Sequence, residues 1–428
     1  MFIPRKLPML EASPATLASL PDDALLEELQ KQSFRFFWEG AEPASGLARD
    51  RNRRDDSVTG NLVAIGGSGF GLMALVVAVS RGWISRSAAA SRVSRMLDAL
   101  ERAERYHGVY PHFMDGVSGA TIPFGPLDDG GDLVETSFLM MGLLTVRRFF
   151  NLPEEAGLRC CISRLWEAVE WDWHVQPGQQ VLTWHWSSHH GFKMNHAIRG
   201  WNECLITYVL AAASPYHAIS PETYEAGFCT GPDYRNGRSY HGIVLPLGPS
   251  LGGPLFFAHY SFCGLDPHGL SDAHADYWEQ NVAQTRINLA HCIANPGGFA
   301  GYSAQCWGLT ASDDPSGYEA HAPGHDNGTI SPTAALSSFP YAPGDAMRAL
   351  RYFLREHGDR IWGRYGFTDA FNPARDWHAD TFLAIDQGPI IVMIENFRSG
   401  LLWELFMPLP EVRQGLSRLG FHFPNDDS

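Results

Sequence analysis

Charge is scarce in this chain. Asp, Glu, Lys and Arg make up only 18% of its 428 residues, and the formal net charge is −15. A nucleic-acid partner needs a basic face for its phosphates, so the balance argues against one. Long apolar runs are also missing. No window approaches the 18 or so uninterrupted apolar residues of a spanning helix, and no membrane segment is expected. Seven cysteines contain no CxxC pair and sit mostly inside apolar stretches such as LRCCISRLW and LAHCIAN. They read as small buried hydrophobes of a reduced protein, not as a zinc or disulfide frame. The first residues, MFIPRKLPMLEASPATLASLPDD, are basic but hold no apolar h-region. The expected location is therefore the cytoplasm, with the periplasm as the alternative if a leader has been removed.

Several chemical signatures are absent as well. No G-x-S-x-G elbow points to a serine hydrolase. GGSGFG at 66–71 spaces its glycines wrongly for a dinucleotide loop, and no strand pattern precedes it. LDDGGD (Asp128, Asp129, Asp132) lacks the calcium-loop spacing. No cofactor is expected.

What is abundant is apolar and aromatic: 45% and 12% of the chain, with 13 Trp, 14 Tyr and 25 Phe. So many rings exceed what packing usually needs, and a ligand groove is the common place for the surplus. Apolar, small-residue-rich helices follow glycine-bearing loops near 66, 130, 200, 253, 328 and 388, at intervals of roughly 50–75 residues. Between them run helices charged on one face, including SAAASRVSRMLDALERAER and DAMRALRYFLREHG. A helix apolar all round belongs inside and a one-faced helix outside. Six inner helices alternating with outer ones predict an all-α fold, an (α/α)6 toroid with little β confined to loops. Residues 1–30 read as a lead-in and 31–428 as a single domain. Residues 297–330 lack periodicity; a loop that long is usually functional, and it is expected to cover the groove.

Carboxylates recur at the starts of the predicted inner helices. GGDLVETSFLMMGLL supplies Asp132 and Glu135, RGWNECLITYVLAAA supplies Glu203, and FLAIDQGPIIVMIEN supplies Asp386. Ionisable groups at the mouth of an apolar bundle cost desolvation energy and persist where something uses them. Structural alternatives exist for each. Asp132 and Glu135 have the spacing of a capping box. Glu203 could complement a helix dipole, and Asp386 could cap the helix ahead of Pro389. Glu395 is expected to pair with Arg398.

Aromatic and imidazole side chains of the kind that stack on and bond to sugars surround these carboxylates. TWHWSSHHGFKMNH contributes Trp184, His185, Trp186 and His189; Tyr110, His112, Trp201, Trp307 and Tyr318 are further candidates. The His185–His189 spacing could present two metal ligands, but the segment reads as loop and nothing completes a set, so no metal is expected.

Carboxylates ringed by aromatics point to glycoside hydrolysis. An inverting enzyme needs an acid and a base about 6.5–9.5 Å apart, with the acid in an apolar setting that keeps it protonated. Glu203 suits the acid. Asp386 is the first choice for the base and Glu135 the second, with Asp132 lining the site.

The sequence also resembles the glucoamylase-like family of bacterial glycoside hydrolases, whose relatives include endo-β-1,2-glucanases. The resemblance runs from about Phe34 to Phe421. It rests on FRFFWEGAEPASGLARDR, GFGLMALVVAVSRGWI, GVYPHFMD, GGDLVETSFLMMGLL, WHWS followed by GWNE, and WGLTASD followed by GTISPTAA. It implies an (α/α)6 barrel, inversion without metal, Glu203 as general acid, and Asp132 and Glu135 close to the sugar. It further implies a glucan substrate, β-1,2-glucan or its oligosaccharides. PSGYEAHAPGHDNGTI and SYHGIVLPLGPSLGGP depart from the family pattern and leave chain-length preference open. Two other readings stand beside this one: a retaining glucan transferase or cyclase on the same barrel, and a saccharide-binding protein without catalysis.

Overall fold

Gly69 and Gly142 bring two helices into direct backbone contact. A Cβ on Gly69 would fall 2.2 Å from the carbonyl oxygen of Phe138, and one on Gly142 would fall 2.2 Å from that of Gly69. The helices are Ile65–Ser80 and Leu133–Phe149, each apolar on almost every side and buried through nearly its whole length. A third buried helix, Ala384–Ser399, closes on the first from the other side, where Gly388 lies against Phe70. Small residues let these backbones approach, and the larger side chains fill the remaining space at crystal-like density.

The structure, a computed structural model, describes residues 12–424 save 56, 58 and 59. Helix dominates, and every strand is six residues or shorter. The remaining inner segments are Leu205–Ala213 and Pro332–Leu336. The stretch after Gly253, expected as a helix, instead forms two short 3-10 turns, Leu255–Ala258 and Ser261–Cys263. Hydrogen bonds tie it into the series: Ile206 N–H donates to Ser261 Oγ at 3.0 Å, and His259 Nε2 meets Ser338 Oγ at 3.0 Å.

One-faced helices pack outside, among them Asp22–Trp38, Arg86–Arg102, Ala156–Glu167 and Pro343–Tyr352. Asp22–Trp38 runs straight through the boundary expected at residue 30. Leu25, Leu26 and Leu29 are buried core, and Gln30 Nε2 donates to Ile391 O at 2.9 Å, so the segment is part of the fold and not a lead-in. Residues 297–330 are not structureless either: Ala311–Asp314 pairs antiparallel with Gly317–Ala320.

The short strands have a positional meaning. Leu62–Ala64 leads directly into the Ile65 helix, Gly131–Asp132 into the Leu133 helix and Thr381–Leu383 into the Ala384 helix. Each pairs with a distant segment, so antiparallel ladders fix where these helices begin: Val63 opposite Met114, Asp132 opposite His185, and Arg51 opposite Leu383. All seven cysteines are free thiols, and only Cys160 is exposed. No helix is long and apolar enough to cross a membrane among the described residues.

Gly69→Ala should therefore destabilise the fold by about 1–3 kcal/mol through overpacking against a rigid backbone. Gly157→Ala, in open space on the Ala156–Glu167 helix, should be neutral or stabilise by up to about 1 kcal/mol. Paired denaturant titrations measure both.

Candidate active site

Two groups of carboxyls lie at these helix starts. The first gathers around Asp132, which is fully buried. Its Oδ1 caps the Leu133–Phe149 helix by accepting the N–H groups of Val134 and Glu135 at 3.0 and 2.9 Å. Its Oδ2 takes His112 Nδ1 at 3.0 Å and the Trp184 indole N–H at 3.0 Å. Burial would raise Asp132, but the hydrogen bond and charge of His112, with the other donors, hold it below the usual carboxylate range. Burial likewise opposes the charged form of His112. The fields of Glu135 and Asp132 and the Asp132 hydrogen bond win, and its pKa is pushed up to about 10. Asp132 and His112 thus form an ion pair at neutral pH.

Glu135 does not fold back as a capping box would have it. Its Oε2 accepts the N–H of Gly66 at 2.7 Å, bridging two inner helices. Burial, opposed by His112 and reinforced by the Asp132 charge, pushes Glu135 up to about 7. Glu203 lies in the turn before the Leu205–Ala213 helix, with its backbone carbonyl accepting from Ser261 Oγ. Burial, with smaller contributions from Glu135 and Asp132, pushes its carboxyl up to about 7.

The second group gathers around Asp386. That residue does not cap its helix: the helix begins at Ala384, Asp386 is in its first turn, and Pro389 lies inside. Its carboxyl meets that of Asp369, and burial first, then the Asp369 charge, raises it well above the ordinary range. Asp369 Oδ2 accepts the N–H of Asp313 at 2.6 Å. Arg51 binds Asp313 at 3.2 Å and Asp50 at 2.8 Å. Tyr260 stands between the groups, with Asp386, Glu203 and Glu135 all contributing to its field. Asp369 and Tyr260 carry no sequence signal of their own, and Arg51 and Asp313 only close two of the segments that carry the family resemblance. Arg51 lies on a strand paired with Thr381–Leu383, Asp313 on the 311–320 hairpin, and Tyr260 between two 3-10 turns. Glu395, expected to pair with Arg398, binds Arg81 at 2.9 Å, while Arg398 reaches Glu27 at 2.9 Å.

The aromatic candidates divide. Trp184 donates to Asp132 and stacks on His196 at 4.9 Å. Trp186 is half-buried, edge-on to Trp173 and His107. Tyr318, on the 311–320 hairpin, is 47% exposed, and its phenol lies in the field of Asp386. His189 is exposed and bonds Asp129 at 2.9 Å, at the rim of an open cleft of about 480 Å³ shared with Tyr106 and Thr121. His185 is fully buried and takes the Gly130 N–H at 3.0 Å on Nε2.

Tyr110, Trp201 and Trp307 are corrected to core positions, closed off on all sides. Tyr110 serves the site through its backbone carbonyl, which accepts the Asp132 N–H at 2.8 Å. Trp201 donates to Gln284 at 2.9 Å. Phe124, not singled out by the sequence, is 62% exposed and stacks on His112 with centroids 4.6 Å apart.

Two clusters among the described residues bring metal-type ligands within 4.8 Å: His112, Asp128 and Asp132, and Glu225, Cys229 and His274. In the first, His112 Nδ1 is already engaged with Asp132 Oδ2 at 3.0 Å. In the second, Arg235 donates to His274 Nδ1 at 2.9 Å. That turns the protonated Nε2 onto Glu225 at 3.0 Å, where the ion would sit.

The fold and site define a class: an all-α protein with buried, pKa-shifted carboxyls at converging helix starts. The family described as "Putative glucoamylase" matches residues 195–410, half of the chain. The crystal structure of a "putative glucoamylase" from Bacteroides uniformis ATCC 8492 is 51% identical, with a TM-score of 0.92, covering 95% of this chain and 99% of that one. An endo-β-1,2-glucanase from Chitinophaga pinensis, solved with sophorotriose and glucose, is 47% identical with a TM-score of 0.92, covering 95% and 100%. The exo β-1,2-glucooligosaccharide sophorohydrolase (non-reducing end) of Parabacteroides distasonis is 45% identical over 95% of this chain. The chain spans 59% of that relative's length. The chain belongs to this glucoamylase-like family.

An acid whose pKa is higher folded than unfolded contributes stability that is fully present below its unfolded value and lost as pH rises through its folded value. For Glu203 that window runs from about 4.5 to about 7. Glu203→Gln should be near neutral at pH 4.5 and stabilise by about 3 kcal/mol at pH 8. Thermal unfolding at the two pH values measures this.

Proposed function

We propose that this protein is an inverting glycoside hydrolase acting on β-1,2-glucan or its oligosaccharides. Glu203 is the general acid, Asp386 belongs to the base, and Asp132 and Glu135 line the site. The observation that carries the reading is the pKa of Glu203: a carboxyl pushed up to about 7 is still half protonated at neutral pH, as proton donation to a glycosidic oxygen requires. The linkage is supported by the Chitinophaga pinensis and Parabacteroides distasonis relatives, whose names specify β-1,2-glucan chemistry.

We also infer that the inner segments close into an (α/α)6 toroid. Hydrogen bonds link the third to the fourth and the fourth to the fifth, the others touch in chain order, and the last, Ala384–Ser399, packs on the first, Ile65–Ser80. In such a ring the helix starts share one face, so a sugar laid across it meets Glu203 on one side and Asp386 on the other.

In the reaction Glu203 gives its proton to the leaving oxygen as the bond to the anomeric carbon breaks. Water attacks that carbon from the opposite face and yields its proton to the base. Asp386 suits that face better than Glu135. Glu135 and Asp132 dominate the charges around Glu203, whereas Asp386 answers to Asp369, Asp313 and Arg51. The Asp132–His112 pair stays charged and supplies a fixed acceptor geometry. Exposed Phe124 and Tyr318 offer ring faces for stacking.

Reducing-end release from linear β-1,2-glucan and its oligosaccharides, beside β-1,3-, β-1,4- and α-1,4-glucans, tests the reading. Selective release is expected, with Glu203→Gln slower by about 10²–10⁴-fold. Time-resolved NMR should show the α-anomer first. Release of the β-anomer would mean retention, and turnover undiminished in Glu203→Gln would remove it as the acid.

A further inference from the structure

Asp369 and Asp386 are each 2% exposed, and their carboxyls meet side chain to side chain. On Asp369, Oδ2 is occupied by the Asp313 N–H at 2.6 Å. That leaves Oδ1, which is buried and has no other donor; Asp386 Oδ2 is buried and equally unprovided. Ionised carboxylate oxygens only accept, so two buried carboxylates side by side would repel with no donor between them. A proton shared between the two carboxyls supplies that donor and reduces the pair to a single negative charge.

Among the described residues, the groups named around the pair bring it little positive charge. Asp313 presses on Asp369, held by Thr381 Oγ1 and by Arg51 at 3.2 Å. Asp50 takes the other side of Arg51 at 2.8 Å. Tyr260 and Tyr318 face Asp386 and carry no positive charge. One guanidinium therefore stands against four carboxyls. The backbone pins both partners: Ser331 Oγ donates to Asp369 O at 2.9 Å, and Thr333 Oγ1 donates to Asp386 O at 3.0 Å.

We propose that the base of this site is not a single carboxylate but the Asp386–Asp369 pair, which holds one proton at rest and takes the second from water during hydrolysis. Asp369 acts through Asp386 and is a positioning residue. The inference rests on the assignment of Asp386 to the base. Burial raises both groups, Asp369 to about 6 and Asp386 well above the usual carboxylate range, which agrees with one retained proton. In the step itself, a water O–H bond breaks and its oxygen bonds to the anomeric carbon. The glycosidic C–O bond breaks with the Glu203 proton on the leaving oxygen, and the pair becomes doubly protonated. Release of one proton from the pair to solvent and recovery of one by Glu203 close the cycle.

The test is infrared difference spectroscopy of the full chain with ¹³C-carboxyl-labelled aspartate, titrated from pH 5 to 8 without substrate. A neutral buried aspartic acid band should persist at pH 7 and vanish in both Asp369→Asn and Asp386→Asn. The pair is overturned if wild-type protein shows only ionised aspartates at pH 7, or if the band survives unchanged in Asp369→Asn. The kinetic arm uses β-1,2-glucooligosaccharides. The shared proton stabilises the remaining anion, so its loss should move the acid limb of kcat/KM for Asp369→Asn to higher pH by about one unit or more. A purely structural role would lower the whole profile without moving that limb, and would overturn the proposal. If the oligosaccharides are not cleaved at all, the hydrolase reading fails while the infrared result still decides whether the proton is shared.

Discussion

The hydrogen bond from Gly66 N–H to Glu135 Oε2, 2.7 Å long, joins two inner helices where the chemistry converges. A Cβ on residue 66 would lie 2.6 Å from that same oxygen, so any larger residue would push the Glu135 carboxyl out of this hydrogen bond. The close approach of Gly69 and Gly142 below it sets the spacing of the two helices. The distance between the Glu135 and Asp132 carboxyls and their neighbours follows from that contact. Were the helices held apart by ordinary side chains, water would enter between the carboxyls and the desolvation that tunes them would be lost.

Desolvation acts on every carboxyl here, yet the outcomes differ. Asp132 is driven down because it collects an imidazolium, an indole N–H and two backbone N–H groups. Glu203 has few such donors and is driven up. Asp386 is driven up by burial first and then by the second carboxyl beside it. The protonation of each carboxyl is set by which donors reach which oxygen.

Much of this was legible in the sequence, for identifiable reasons. Helices apolar on all sides announce themselves by composition, so the inner helices at 65, 133, 205 and 384 were expected, as were the carboxylates at their starts. The fourth inner segment was misjudged because apolar character says nothing about length, and Leu255–Cys263 breaks into 3-10 turns. Trp201 and Trp307 looked like sugar platforms because a tryptophan in a loop has the same letter whether its ring faces solvent or core. Asp369 and Arg51 were invisible as site residues. Their importance comes from which segments pair, and no local period records that.

The pairing of Arg51–Arg53 with Thr381–Leu383 has a consequence for synthesis. The second carboxyl group draws Asp50 and Arg51 from near the start of the chain, and Asp369 and Asp386 from near its end. Loop closure over such a span is slow and entropically costly, so it should come late in folding. Asp132, Glu135 and Glu203 can meet while the ribosome is still elongating, but Asp386 has no site to enter until almost the whole polypeptide has emerged. A nascent or truncated chain would thus carry Glu203 in its place without Asp386 and the carboxyls that pack around it.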